Sequence, residues 1–186
     1  MEPIEVNVGR YYLRTPRADD LVDDRPALLA MAQDPAARRF TSLGDVHDLA
    51  SAGARIADHT RAWVEETRCA WAVCEPSTGT MLAEVGLTEL HLAESWAALT
   101  CVSAPEHRGQ GLMSTVVPAL VRLAFAAPEV GGLGLRRLLW RHHLENTACA
   151  ALAERCGFAP EPTDSEAPVV TTTKGASESV VLVRFS

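Results

Sequence analysis

A strand, a glycine loop and a helix follow one another in the middle of this chain of 186 residues. Ser95–Val102 is apolar (SWAALTCV) and predicts a strand that ends at Ala104-Pro105. Two glycines follow in RGQGLM, residues 108–113, and apolar residues then recur with helical spacing up to Ala127. The first N–H groups of a helix lack intrahelical partners, and glycines let a phosphate approach the backbone closely. This order therefore predicts an anion site at the helix N-terminus.

The two common nucleotide-binding loops do not fit this segment. A P-loop needs a lysine directly after its second glycine, and Lys174 is the only lysine in the chain. A dinucleotide fingerprint needs a third glycine, where Ser114 stands, and belongs near the first strand instead of past mid-chain. Arg108 can add a charged contact to a phosphate. From the loop alone, an ordinary tight turn with glycines for packing stays open.

The remaining pattern mixes strands and helices and predicts an α/β fold with a mixed sheet. Val6–Leu13 predicts an opening strand, and a partly helical pattern interrupted by Pro26 ends at Asp34-Pro35. Pro118 is expected to bend the central helix or to shift its start. Further strands are predicted at 69–74, 81–90, 135–140 and 180–185, further helices at 45–67 and 146–155, and a loop at 160–177.

Composition excludes some classes of binding partner and indicates the compartment in which the protein works. The net charge of −7 argues against nucleic acid and anionic lipid as partners. No apolar run approaches the roughly 20 residues of a membrane-spanning helix, and the N-terminus shows no signal-peptide pattern. The five cysteines are odd in number and include no C-x-x-C pair, so we expect reduced thiols in the cytoplasm and no structural metal.

The stretch APEHRGQGLMSTVVPALVRLAF, residues 104–125, resembles motif A of the GNAT superfamily of acetyltransferases. Family members carry [QR]-x-x-G-x-[GA] between a central strand and a helix, and this loop holds the pyrophosphate of acetyl-coenzyme A (acetyl-CoA). Arg108 and Gly111 fit that pattern, and Met113 stands where the family has Gly or Ala. If the pattern is placed two residues earlier, Gly109 and Gly111 take the last two positions and Glu106 takes the first.

A second stretch, residues 143–158, resembles the N-x-x-S-x-x-x-x-E-[KR]-x-G-F signature of the Rim-type branch, the relatives of ribosomal-protein N-terminal acetyltransferases. Asn146, Glu154-Arg155 and Gly157-Phe158 fit it, and Cys149 stands where Ser is usual. Many members carry a leaving-group Tyr at the position of Ala153, which this chain lacks. Asn is also a favourable helix N-cap, a role compatible with one near the pantetheine arm.

The resemblance implies a single domain over residues 1–186 with an acetyl-CoA-binding core at 95–158. Its fold would be a mostly antiparallel sheet of about six or seven strands, flanked by helices and splayed at the acetyl-CoA cleft. It implies acetyl-CoA as co-substrate, an amine acceptor, and a monomer or homodimer without metal. The residues that it places at the cofactor are Cys101, Val102, Ser103, Arg108, Gly109, Gln110, Gly111, Leu112, Met113, Asn146 and Cys149.

Acetyl transfer to an amine needs a base, donors to the oxyanion and a proton for the leaving thiolate. Glu84 is the candidate base, with Glu89, His142 and His143 as weaker ones, although a strand carboxylate is also often just solvated. Cys149 is the candidate acid, although the helix N-terminus would favour its thiolate, and a water or a packing role stays open. The resemblance implies that backbone groups of Thr100–Ser103, Val102 above all, face the thioester oxygen as oxyanion donors.

The alternative function is a catalytically silent acetyl-CoA or CoA binder that serves as a sensor or interaction module. The missing tyrosine and the cysteine in place of serine motivate it. Three acceptor classes stay open for the enzyme: a protein N-terminus, an amino acid or a small amine.

Overall fold

In the computed structural model, which describes residues 1–160 and 179–186, one mixed sheet of eight strands carries helices on both faces. The strands are β1 (Val6–Val8), β2 (Tyr11–Arg14), β3 (Cys69–Cys74), β4 (Met81–His91), β5 (Trp96–Ser103), β6 (Arg137–His143), β7 (Ala159–Pro160) and β8 (Ser179–Phe185). The helices are α1 (Arg25–Gln33), α2 (Pro35–Phe40), α3 (Leu49–Val64), α4 (Leu112–Phe125) and α5 (Thr147–Arg155).

The sheet order is β1-β2-β3-β4-β5-β6-β8-β7, and every neighbouring pair is antiparallel except β5 and β6. The predicted mixed, mostly antiparallel α/β class is confirmed. The count exceeds the expected six or seven because the opening segment is a two-stranded hairpin, with Gly9 at a positive φ of 59° in its two-residue turn. The predicted loop at 160–177 lies outside the described residues except for Pro160.

The central strand β3 is buried along its whole length because both faces of the sheet are covered. Trp71 and Val73 pack in one apolar cluster with α4 and α5, whereas Ala72 and Cys74 pack in a second cluster with α1 and most of α3. Trp63, near the end of α3, belongs to the first cluster, where its ring meets that of Trp71. Alternate side chains of a strand point to opposite faces, so the helices form two separate layers. This division puts α4 and α5 on one side of the sheet and α1 and α3 on the other.

One proline expectation was wrong. Pro26 lies in the first turn of α1 instead of interrupting it, because a proline is tolerated there, where N–H groups are unpaired. The predicted end of this helix at Asp34-Pro35 is confirmed, since Asp34 is the C-cap of α1, but Pro35 also begins a helix, α2, that we had not predicted. The central helix starts at Leu112 and runs through Pro118 to Phe125, so that proline does not set its start.

Candidate active site

The parallel strands β5 and β6 separate partway along their length. They pair from Trp96–Arg137 to Leu99–Trp140, and no described pairing joins the continuation of β5 at 100–103 to that of β6 at 141–143. A cleft of about 870 Å³ opens at this point. Its walls come from α2, the end of β5, the glycine loop with the start of α4, and the first turns of α5. The expected splay between two central strands is therefore present in the structure.

The cleft gathers ten of the eleven residues that the sequence placed at a cofactor. The exception is Gln110, whose side-chain amide turns away and donates to the Glu106 carbonyl at 2.6 Å. The ten that line the cleft are Cys101, Val102, Ser103, Arg108, Gly109, Gly111, Leu112, Met113, Asn146 and Cys149. Their role toward a cofactor stays a prediction, but the fold places them around one cavity.

The glycine loop needs its glycines for backbone conformation, not for tight packing. Gly109 and Gly111 have φ values of +72° and +78°, in the left-handed region, and an added Cβ would meet nothing within 4 Å at either position. Gly111 is also the N-cap of α4 and supplies no side-chain acceptor to the first-turn N–H groups. The helix therefore offers its positive end to the cleft, an arrangement suited to an anionic ligand.

Arg108 connects the glycine loop to α2. Its Nη2 donates to Asp34 Oδ2 at 2.7 Å and to the Ser103 carbonyl at 3.2 Å. Asp34 is also the N-cap of α2 and accepts from the Ala37 N–H at 2.8 Å. Its carboxyl pKa is lowered, chiefly by the Arg108 hydrogen bond. The cation expected to meet a phosphate is thus held by a carboxylate that sequence reasoning missed.

A second cation reaches the same loop from the β1–β2 hairpin. Arg10 Nη2 donates to the Gln110 carbonyl at 3.4 Å, across a sequence separation of 100 residues. At its other end, α2 contacts the β6–α5 connection: Arg39 pairs with Glu145, and the Phe40 ring lies 5.3 Å from that of His143. These contacts hold α2 along one wall of the cleft.

Asn146 and Cys149 begin α5, as predicted. Asn146 Oδ1 accepts from the Cys149 N–H at 3.1 Å and so caps the helix. The partly buried Cys149 Sγ accepts the indole N–H of Trp140 at 3.0 Å. Burial raises the pKa of the Cys149 thiol, and the indole hydrogen bond opposes that rise without overcoming it. The raised pKa favours the thiol over the thiolate, so burial outweighs the effect of the helix N-terminus, which would favour thiolate.

Glu84 lies outside the cleft lining, on β4 opposite Val102, with its side chain toward α3. Its Oε1 accepts from Arg55 Nη2 at 2.6 Å, and its Oε2 lies 3.2 Å from His59 Nε2. Burial alone would raise the carboxyl pKa, but the His59 hydrogen bond and the Arg55 charge outweigh it and lower the pKa to about 2. The role of Glu84 as the base stays a prediction. A proton released in the cleft would have to pass through other groups to reach its carboxylate.

The weaker base candidates also make hydrogen bonds to other groups of the protein. Glu89 accepts from Arg141, and the buried His142 has its Nδ1 3.0 Å from the His143 carbonyl. His143 Nδ1 accepts from the Glu145 N–H at 3.1 Å beside the cleft wall. Within residues 1–160 and 179–186, no three His, Cys, Asp or Glu side chains are grouped to hold a metal ion. The same residues contain no helix with the length and apolarity to span a membrane.

The sequence and the fold were both compared with those of known proteins. A family model described as an acetyltransferase (GNAT) domain matches residues 10–159. A comparison with curated protein sequences found no match.

Similar solved structures include a proposed ribosomal-protein-serine acetyltransferase from Vibrio cholerae, at 23% identity and a TM-score of 0.78 with 98% of each chain covered. A ribosomal α-N-protein acetyltransferase named RimL, in complex with coenzyme A, has 17% identity and a TM-score of 0.75 over 98% of each chain. A spermidine N-acetyltransferase from Vibrio cholerae, in complex with CoA and spermine, has 15% identity and a TM-score of 0.71 over 95% of each chain. At these identities the similarity shows the fold.

Proposed function

The chain belongs to the GNAT family of acetyltransferases, and from that membership we propose that it transfers the acetyl group of acetyl-CoA directly to a primary amine. The observation that carries the proposal is the glycine loop at the cleft. Gly109 and Gly111 take left-handed conformations there, and the N-terminus of α4 faces the cavity between the splayed strands. Backbone N–H groups and Arg108 would hold the pyrophosphate.

The thioester end of the cofactor would lie between the separated strands. Strand β5 still pairs with β4 at 100–103, and the Ala104 N–H donates to the Leu82 carbonyl at 3.0 Å. Hydrogen-bonded and free residues alternate in an antiparallel pair, so Val102, the expected oxyanion donor, directs its N–H to β4. The peptide groups of Cys101 and Ser103 face the gap left by β6 instead, and they are the ones available to a pantetheine arm and to the thioester oxygen. The Cys149 thiol lines the same cavity and is protonated at neutral pH, which suits the proposed donor of a proton to the departing thiolate.

The amine must lose a proton before or during attack. Glu84 is our proposed base, and its contacts require an indirect route through a bridging water or through His59. A carboxylate with a lowered pKa is a weak proton acceptor. The alternative is that Glu84 fixes Arg55 and His59 between α3 and the sheet while water removes the proton.

The acceptor is one of three amine classes: a protein N-terminus, an amino acid or a small amine. The net charge of −7 favours a cationic acceptor over an anionic one. We also propose that the protein works in the cytoplasm as a monomer or homodimer. Its five cysteines, all described by the structure, are free thiols, in keeping with a reducing compartment.

We expect acetyl-CoA and desulfo-CoA to bind in calorimetry, and we expect free CoA thiol to appear when acetyl-CoA is mixed with a panel of peptide N-termini, amino acids and polyamines. Binding of neither ligand would contradict both the enzyme and the silent module. Binding without amine-dependent thiol release across the panel would favour the silent module, which Cys149 in place of Ser and Ala153 in place of Tyr motivate.

Asp34→Asn is expected to tighten CoA binding about threefold, the magnitude of one partly exposed ion pair. The substitution removes the carboxylate that holds Arg108 and would repel a phosphate, and Asn still caps α2. Calorimetric Kd values for CoA measure the change. Asp23→Asn removes the same charge from an exposed pair with Arg25 and should leave Kd unchanged. Weaker binding by Asp34→Asn would mean that Asp34 positions Arg108 instead of competing for it.

A further inference from the structure

Trp140 stands at the point where β5 and β6 separate. It is the last β6 residue paired with β5, opposite Leu99, and its side chain is buried. Its ring packs edge-on against Phe158, with 5.2 Å between ring centroids. The indole is therefore fixed in the core beside the cleft, and its N–H reaches Cys149 Sγ at 3.0 Å.

This hydrogen bond determines where the proton of the thiol can point. An indole nitrogen is a donor only, so the sulfur must be the acceptor, and its own S–H cannot be directed back at the ring. Cys149 lies between the core and the cavity and contributes to the cavity lining. The indole N–H occupies the core side of the sulfur, which leaves the S–H free to turn toward the cleft.

We propose that Trp140 is a positioning residue, which holds Cys149 with its S–H toward the thioester sulfur and stabilises the sulfur when the proton has left. The inference rests on the proposed function. In the step that it serves, the tetrahedral intermediate collapses, its carbon–sulfur bond breaks, and the electron pair goes to the sulfur of CoA. The Cys149 proton moves to that sulfur, and the resulting Cys149 thiolate regains a proton released by the amine.

The same contact adjusts the acidity of the donor. Burial raises the pKa of the Cys149 thiol, and the Trp140 hydrogen bond lowers it and so limits that rise. The leaving CoA group is itself a thiol. A general acid is most effective when its pKa lies near the operating pH, so loss of the indole N–H, which lets the thiol pKa rise further, should weaken Cys149 as an acid.

Trp140→Phe tests the proposal because it keeps an aromatic ring and removes the donor. We expect kcat to fall about tenfold with little change in KM for acetyl-CoA, the loss that one hydrogen bond to a charged group predicts. The pH at which Cys149 becomes reactive toward iodoacetamide, followed at that residue by mass spectrometry, should rise by about one unit. In the plot of kcat against pH, the fall in rate at alkaline pH should also move to higher pH.

Two further comparisons separate positioning from stability. In a Cys149→Ala background, Trp140→Phe should produce no further loss of kcat. Trp71→Phe is the matched control, since Trp71 is also fully buried and donates its indole N–H, to the Ile4 carbonyl at 2.6 Å. That variant should lose stability without moving the Cys149 alkylation midpoint.

Two results would overturn the proposal. An unmoved alkylation midpoint in Trp140→Phe would make Trp140 a packing residue only, as would an equal loss of kcat in the Cys149→Ala background. If Trp140→Phe does not fold, benzothienylalanine at position 140 keeps the bicyclic shape and removes only the N–H, and the same midpoint decides. The alkylation measurement needs no turnover, so it stands even if no amine is acetylated, which would contradict the proposed function instead.

Discussion

Gly111→Asp is expected to weaken CoA binding at least about 100-fold while the protein stays folded. Gly111 has a φ of +78°, and Asp is among the few residues that tolerate this conformation. No atom lies within 4 Å of the added Cβ, so the fold has room for the side chain. The new carboxylate would lie where we place the pyrophosphate. Two unit charges 4 Å apart interact by about 4 kcal/mol at an effective dielectric constant of 20, enough for this loss. Calorimetry with CoA measures it.

Two control variants isolate the charge at this position. Gly111→Asn has nearly the same shape and the same tolerance of a positive φ, so it should lose far less affinity than Gly111→Asp. Gly131→Asp adds the same charge at a φ of +83°, also with open space around the Cβ but outside the cleft lining, and should bind CoA like the unmodified protein. Equal Kd values for Gly111→Asp and Gly131→Asp would show that the loop does not hold the pyrophosphate.

Sequence patterns predicted those parts of the site that depend on near neighbours in the chain. The glycines before α4 and the Asn146 cap of α5 are local features, because a left-handed residue or an N-cap involves only a few consecutive residues. The buried run of β3 was equally readable, since a strand covered on both faces is apolar throughout. These elements occur where the sequence predicted them.

The contacts that give the site its chemistry join residues far apart in the chain. Asp34 meets Arg108 across 74 residues, and Arg10 meets the Gln110 carbonyl across 100. No periodicity or motif signals such pairs, because the order of the strands in the sheet brings them together. Helix α2 was missed for a local reason: an Asp-Pro pair usually ends a helix, but here Asp34 both follows α1 and caps α2.

Glu84→Gln is expected to lower the free energy of unfolding by about 3 kcal/mol at neutral pH, the lower end of the cost of breaking a buried ion pair by removal of one partner. Gln keeps the shape and one acceptor, but it leaves the Arg55 charge, which Glu84 Oε1 contacts at 2.6 Å, without its counter-charge. Urea unfolding of both proteins between pH 3 and 8 measures the difference. Glu89→Gln is the control, because that carboxylate is partly exposed and should contribute at most about 1 kcal/mol.

The pH dependence of this difference has a definite sign. The folded-state pKa of Glu84 is about 2, below its ordinary 4.5, so its stabilisation is complete above pH 4.5 and is lost as the pH falls from there toward 2. The gap between wild type and Glu84→Gln should therefore be constant from pH 6 to 8 and should narrow below pH 4.5. A gap that stays constant down to pH 3 would contradict the Arg55–Glu84–His59 contacts. Full turnover by folded Glu84→Gln across this range would leave Glu84 a structural anchor and assign proton removal to water, because an amide cannot take up the proton that a base receives, directly or through a bridging group.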